Sequence, residues 1–344
     1  MPQKLIVKQV IQETFNTKSF VLAPADGKKI EYQAGQFLTF LFKHFNGEEV
    51  RRSYSISSSP VLEEPLTITV KRIENGEYSR RLTDRTQAGS ELETIGASGF
   101  FTLPEKVNNY QQLIFIAAGS GITPIYSLIK TVLHTNATIT VGLIYSNTSP
   151  SSTIFYEELQ ALQQQFAKRF KIEFLFSTSR DLLRARLSFG LLEVLLKEFA
   201  VTSLNNILFY LCGPYDYMRM ITIKLQSEGV VVENIKKEIF NIEKPAKRLQ
   251  PPDKDMHHIT LQVQDREYQF DAQYPVTILQ AAKQLKIPVP YSCESGQCGT
   301  CTATCLEGKV WMWHNEVLLD DEIAKGRVLT CTGYAVGGDV VLRF

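Results

Sequence analysis

The sequence predicts three domains: a β-rich barrel or sandwich, an α/β domain with a parallel sheet, and a small α+β domain behind a linker. Three observations carry this. Residues 1–103 read as short strands punctuated by Gly and Pro. From residue 104, apolar strand-like runs alternate with helical ones. Residues 241–257 are polar and contain Pro245, Pro251 and Pro252. A length of 344 residues, 44% of them hydrophobic and 21% charged, suits two or three ordinary cores.

Taken in order, residues 5–10, 37–42, 66–72 and 92–95 are the strands expected in the first domain, 1–103. The second, 104–240, alternates strands at 113–118, 137–145, 171–177 and 207–211 with helices at 124–133, 154–166 and 187–199. That alternation implies crossover helices on a parallel sheet. Residues 241–257 read as an extended, semi-rigid linker. In the third domain, 258–344, strands 259–264 and 268–270 form a hairpin around Asp265-Arg266-Glu267. A helix at 276–285, a Cys-rich loop and two late strands follow.

A net charge of +1 argues against nucleic acid or an anionic membrane as the main partner. The start, from Met1 to Lys8, has no apolar signal core, and no stretch reaches the roughly 20 apolar residues that span a bilayer. A soluble, cytoplasmic protein is expected. Thiols stay reduced there, so clustered cysteines read as ligands rather than disulfides.

Cys293-x4-Cys298-x2-Cys301, then 29 residues and Cys331, has the spacing of a plant-type [2Fe–2S] site. Two tetrahedral irons need four thiolates, three on one loop and the fourth brought in by the fold. Gly296 and Gly299 lie between ligands, where the backbone must turn sharply. A structural zinc site would want paired knuckles or Cys/His pairs, and only Cys298 and Cys301 form one. Cys305 falls outside the pattern and reads as a small buried hydrophobe.

Four further motifs carry less by themselves. Arg52-Ser53-Tyr54-Ser55 ends a strand-rich segment and suits a flavin phosphate and ring, or simply a solvated strand end. Gly76-Glu77-Tyr78-Ser79 opens a helical stretch at 79–82, whose amides suit a pyrophosphate or a plain turn and N-cap. Strand 113–118 runs into Gly119-Ser120-Gly121-Ile122-Thr123-Pro124 and a helix, a glycine turn that lets backbone approach a diphosphate. Pro124 stands where the usual dinucleotide fingerprint has Gly, and it equally favours the first helical turn. Cys212-Gly213-Pro214 follows a strand at its carboxyl end, where open α/β sheets bind ligands.

In this order the motifs resemble the ferredoxin–NADP reductase superfamily, with a ferredoxin domain fused at the C-terminus. The arrangement resembles reductase components of multicomponent oxygenases, in particular those of phenylacetyl-CoA epoxidases and ketosteroid hydroxylases. The resemblance implies an antiparallel flavin-binding β-barrel, a parallel-sheet nucleotide domain and a β-grasp ferredoxin domain. It places Arg52, Tyr54 and Ser55 on the flavin, and Ser79 with the Gly76 turn on its diphosphate. Gly119, Gly121, Thr123 and Pro124 would line the nucleotide site, with Cys212 and Gly213 near the nicotinamide; Glu238 and Phe240 match an acidic–aromatic pair that closes the flavin side, with Glu238 a neighbour of nicotinamide or flavin. Phe240 would cover the flavin ring or serve as a core Phe.

FAD is implied over FMN. NADPH is preferred over NADH because Ser179-Arg180 offers a grip for a 2′-phosphate. Against this, Thr148 stands where many NADPH-using members place an arginine. The implied activity is hydride transfer from NAD(P)H to FAD, then single-electron delivery through the cluster to an oxygenase. A reductase for a desaturase, a hydroxylase or a hybrid-cluster protein, or a non-catalytic redox-sensing module, are the alternatives.

Overall fold

A computed structural model describes residues 2–44, 47–240 and 248–344. The chain divides into two compact units, Met1–Asn241 and Ile242–Phe344.

The first unit begins with strands β1 (Gln3–Thr14), β2 (Thr17–Pro24), β3 (Phe37–Lys43), β4 (Glu49–Ser55) and β5 (Thr67–Lys71). Helix α1 (Glu77–Arg85) and strand β6 (Glu91–Ser98) follow. The sheet is antiparallel in the order β4-β3-β6-β1-β2-β5. Its two edges meet where Ile56 bridges Ile68 and the Ser57 N–H donates to the Thr67 carbonyl, so the sheet closes into a barrel. Closure leaves no open edge there. Leu5, Phe20, Leu38, Phe40, Ile56 and Ile68 fill the interior, each wholly buried and each worth about 1.5–3 kcal/mol of apolar burial. Leu82 and Tyr78 seat α1 on this core.

The chain continues through β7 (Gln112–Ala118), α2 (Ile122–Thr135), β8 (Thr140–Asn147), α3 (Tyr156–Gln165) and β9 (Phe170–Phe176). It ends with α4 (Phe189–Phe199), β10 (Ile207–Cys212), α5 (Tyr215–Ser227) and β11 (Ile235–Glu238). All five strands are parallel, in the order β11-β10-β7-β8-β9. The central strand β7 is apolar along its length after Gln112 because it is covered on both faces. Leu113, Phe115 and Ala117 pack with α2, while Ile114 and Ile116 pack with α4 and α5. Strand order reverses between β7 and β10, which puts a crevice at their carboxyl ends.

The barrel and the parallel sheet form one compact unit, although each has its own core. Helix α2 ties them together. Its Lys130 pairs with Glu64, its Ser127 hydroxyl donates to the Ser58 carbonyl at 2.6 Å, and the Thr131 and Ser59 hydroxyls bond at 2.8 Å.

The second unit holds β12 (His257–Val263), β13 (Arg266–Ala272), α6 (Ile278–Gln284), β14 (Thr302–Glu307) and β15 (Val310–Met312). Then come α7 (Asp320–Ala324), β16 (Arg327–Leu329), β17 (Gly333–Ala335) and β18 (Val340–Arg343). Its main sheet runs β13-β12-β18-β14-β16, with β12 parallel to β18. This is a β-grasp arrangement, and α6 packs its Ile278, Leu279 and Ala282 into the sheet's core. The first hairpin turns at Gln264-Asp265, not around Asp265-Arg266-Glu267, because Val263 pairs with Arg266.

The linker assignment also needs correction at its C-terminal end. Residues 241–247 lie outside the described residues, but 248–256 are held against the second unit. Asp253 accepts hydrogen bonds from the Gly337 and Asp255 N–H groups at 2.6 and 2.8 Å, and the Arg248 guanidinium sits 5.4 Å from the Trp313 ring centroid. Pro251 is buried. Proline content signalled extended backbone, but extended backbone also docks.

Candidate functional site

On the barrel, β4 presents Arg52, Tyr54 and Ser55. Arg52 is exposed, Tyr54 half-buried and Ser55 buried. The Arg52 guanidinium lies 4.9 Å from the Tyr78 ring centroid, in the first turn of α1. Two motifs 24 residues apart therefore meet: a cation from β4 and the N-terminus of α1. No side chain caps that helix, so its first amides remain available to an anion. Burial pushes the Tyr54 phenol well above its usual range, which keeps it a neutral donor beside the arginine.

Ser79 has a different job from the one expected of its hydroxyl. Its Oγ donates to the Gly76 carbonyl and accepts from the Ile73 N–H, both at 3.1 Å. The hydroxyl fixes the turn, and a diphosphate would meet backbone amides. A Cβ on Gly76 would lie 2.5 Å from that Oγ, which is why glycine stands there.

In the parallel-sheet domain, a cleft of about 900 Å³ opens at the carboxyl ends of the strands. Gly119 and Gly121 line it from the turn after β7, Gly213 and Pro214 from the turn after β10, and Phe240 from beyond β11. Gly119 has φ +55°, and the Tyr145 hydroxyl donates to its carbonyl at 2.9 Å. A Cβ on Gly121 would lie 2.0 Å from the Cys212 carbonyl oxygen. Thr123 is buried, its Oγ1 closing the turn onto the Ser120 carbonyl at 3.0 Å, and Pro124 is buried in the first turn of α2. Helix α2 also lacks a side-chain cap. The glycine turn thus brings backbone up to the cleft wall, which fits the approach of a dinucleotide diphosphate.

Cys212 and Glu238 end β10 and β11 and are register partners. Burial raises the Cys212 thiol well above its ordinary range. Glu238 is half-buried as a residue, yet its carboxyl is enclosed, and burial pushes it up to about 8. At neutral pH both groups hold their protons.

Ser179 and Arg180 do not line the cleft. The Ser179 hydroxyl accepts from the Asp181 N–H at 3.1 Å, and Arg180 is exposed. The arginine in the lining is Arg186. Lys71, at the end of β5 on the barrel, also lines it, with its Nζ 3.6 Å from where a Gly119 Cβ would stand. Neither residue stands out in the sequence. Lys71 sits in an ordinary alternating strand, and nothing local distinguishes Arg186 from Arg180 or Arg184.

In the second unit, the loop before β14 and the end of β16 bring four thiols together. Cys293 is within hydrogen-bonding reach of Cys298 and Cys331, and Cys301 of Cys331. Pairing of Thr302 with Leu329 sets this convergence, and the Thr330 hydroxyl donates to the Cys301 carbonyl at 3.0 Å. The Ser295 N–H points at the Cys293 sulfur, 3.4 Å away. Gly296 and Gly299 have φ of +78° and +72°. A Cβ on Gly296 would come within 2.7 Å of the His314 carbonyl oxygen. Four converging thiols with amides turned toward them fit two tetrahedral irons. Cys305 is half-buried on β14 and packs against the core of the unit.

Together these features define an iron–sulfur oxidoreductase that uses a flavin and a pyridine nucleotide. An oxidoreductase FAD-binding domain matches residues 2–103, an oxidoreductase NAD-binding domain residues 115–222, and a 2Fe-2S iron-sulfur cluster binding domain residues 261–336. One component of the 1,2-phenylacetyl-CoA epoxidase of Escherichia coli (strain K12) is 33% identical over 352 residues, covering 99% of this chain and 97% of that protein. The ferredoxin reductase component of 3-ketosteroid-9-alpha-monooxygenase from Rhodococcus rhodochrous is 29% identical, covering 99% and 96%. Phthalate dioxygenase reductase shares the fold, with a TM-score of 0.60 at 24% identity over 99% of this chain and 97% of that one. The chain belongs to the family of FAD-, NAD- and [2Fe–2S]-dependent oxygenase reductase components that includes the E. coli epoxidase protein. Among the described residues, no helix is long and apolar enough to cross a membrane.

Proposed function

We propose that this chain takes electrons from NADPH and delivers them singly to an oxygenase of the phenylacetyl-CoA epoxidase type, in the cytoplasm. The meeting of the glycine turn with Cys212-Gly213-Pro214 at the β7/β10 crevice is the observation that carries the nucleotide half. Identity of 33% along nearly the whole E. coli epoxidase protein supports this acceptor class.

In this reading the flavin domain is 1–103, the nucleotide domain 104–240 and the ferredoxin domain 258–344, with 248–256 as its docked lead-in. Arg52 and the α1 amides, shaped by Gly76 and Ser79, hold the flavin diphosphate, and Tyr54 and Ser55 meet the ring. Gly119, Gly121, Thr123 and Pro124 form the nucleotide diphosphate turn. Cys212, Gly213, Glu238 and Phe240 form the nicotinamide end. With Cys212 and Glu238 both protonated, that end carries no buried negative charge at neutral pH. FAD, when bound, converts a two-electron donation into single-electron steps. Cys293, Cys298, Cys301 and Cys331 hold the cluster, whose type favours potentials near about −400 mV.

The test is steady-state NADPH oxidation by the flavin- and iron-loaded chain, first with cytochrome c and then with a purified epoxidase-type oxygenase. Turnover of both supports the reading. Cytochrome c reduction without any coupling to that oxygenase would move the acceptor to another oxygenase. No NADPH oxidation at all would sink the proposal.

A further inference from the structure

We infer that Lys283 is a positioning residue for the iron–sulfur centre: it grips the Glu294 side chain and so holds the ligand loop in the shape that gathers its thiols. The inference rests on the reading above that Cys293, Cys298, Cys301 and Cys331 hold the cluster. Between Cys293 and Cys301 the backbone is left-handed at Glu294, Gly296 and Gly299, with φ of +56°, +78° and +72°. The two glycines adopt that region freely. Glu294 does not, because its Cβ disfavours it, so contacts beyond its own backbone must favour the conformation.

Lys283 makes those contacts. Its Nζ lies 2.6 Å from Glu294 Oε1 and 4.4 Å from the centroid of the Tyr291 ring. The ammonium thus touches the chain on both sides of Cys293, the first ligand. The turn it holds aims the Ser295 N–H at the Cys293 sulfur, 3.4 Å away.

Helix α6 makes the grip rigid. Ile278, Leu279 and Ala282 lock it into the core, and Thr277 and Gln280 cap its start reciprocally. Its Leu279 N–H donates to the Thr330 carbonyl at 3.0 Å, next to Cys331. One helix therefore reaches both parts of the ligand set, Cys331 through backbone and the Cys293 loop through Lys283. The Lys283 and Glu294 side chains are 34% and 38% exposed, so the ion pair alone is weak. With the ring contact added, it is of the same order as the cost of one left-handed residue.

The test is iron release from the reduced, flavin- and cluster-loaded chain to a ferrous chelator, together with the midpoint potential of the cluster. K283M is expected to speed release by roughly threefold to tenfold. Its potential should become more negative, since the hydrogen bond to the Cys293 sulfur weakens and a nearby cation is lost. K283R should restore both. E294G takes the left-handed turn unaided, so in that background the effect of K283M on release should shrink to about twofold or less. Wild-type release and potential in K283M, or an acceleration as large in E294G as in the native loop, would overturn the inference alone. Wild-type protein with no EPR signal after reduction would overturn the cluster reading and this inference together.

Discussion

The carbonyl oxygen of Cys212 occupies the space where any side chain on Gly121 would begin, 2.0 Å from the ideal Cβ position. Two loops from β7 and β10, far apart in sequence, thus touch backbone to backbone across the switch point of the sheet. G121A must force them apart. It should cost about 1–3 kcal/mol of stability, as overpacking does. It should also raise KM for NADPH and NADH alike, checked by urea denaturation and steady-state kinetics.

Lys71 extends that site from the barrel. Its ammonium lies beside the Gly119 turn, and burial lowers its proton affinity in the absence of an anion. K71Q is expected to raise KM for both nucleotides by about tenfold, the scale of one charge-assisted hydrogen bond. It should not alter their ratio. A change confined to NADPH would contradict a role at the diphosphate.

Arg52 joins β4 to the start of α1. R52A should release FAD more readily, weakening its affinity by about ten- to a hundredfold if a charge-assisted phosphate contact is lost. Fluorescence titration of the apoprotein with FAD measures this. Cluster absorbance should be unchanged.

For the cluster, C298S should abolish the rhombic EPR signal of reduced protein while flavin reduction by NADPH continues. Cytochrome c reduction should fall with the signal. Persistence of the signal would mean that Cys298 is not a ligand.

Glu238 makes a pH prediction. Its carboxyl holds its proton up to about 8 in the folded chain, against an ordinary value of 4.5. Between those limits the unfolded chain has released a proton that the folded one retains, so stability falls as pH rises from about 4.5 to about 8. E238Q should flatten that slope, measured as denaturation midpoints across the range. An unchanged slope would place the carboxyl in contact with water.

Much of this was legible in the sequence. The [2Fe–2S] domain follows from cysteine spacing, because three thiols on one short loop and Gly at the sharp turns leave few other solutions. The alternation after residue 104 specified a parallel sheet, since a strand buried on both faces reads as a continuous apolar run, as β7 does. Other features were not legible. The bonds that the Ser79 hydroxyl makes within its own turn could not be read from residue type. Residues 241–257 read as an extended, semi-rigid linker, but 248–256 are held by contacts within the second unit. Arg180 looked like the phosphate grip, yet Arg186 lines the cleft.

The physical reason is the same in each case. Residue type and local period report which backbone conformation a segment prefers and which chemistry it can offer. Which of three nearby arginines faces a crevice, and which lysine from another domain reaches it, depends on side chains packed from distant parts of the chain. The sequence by itself determined the domain types and the cysteine spacing that goes with a [2Fe–2S] domain. Only the tertiary structure decided that Cys212 meets Gly121, that Arg52 reaches α1, and that Lys71 and Arg186 carry the charge of the cleft.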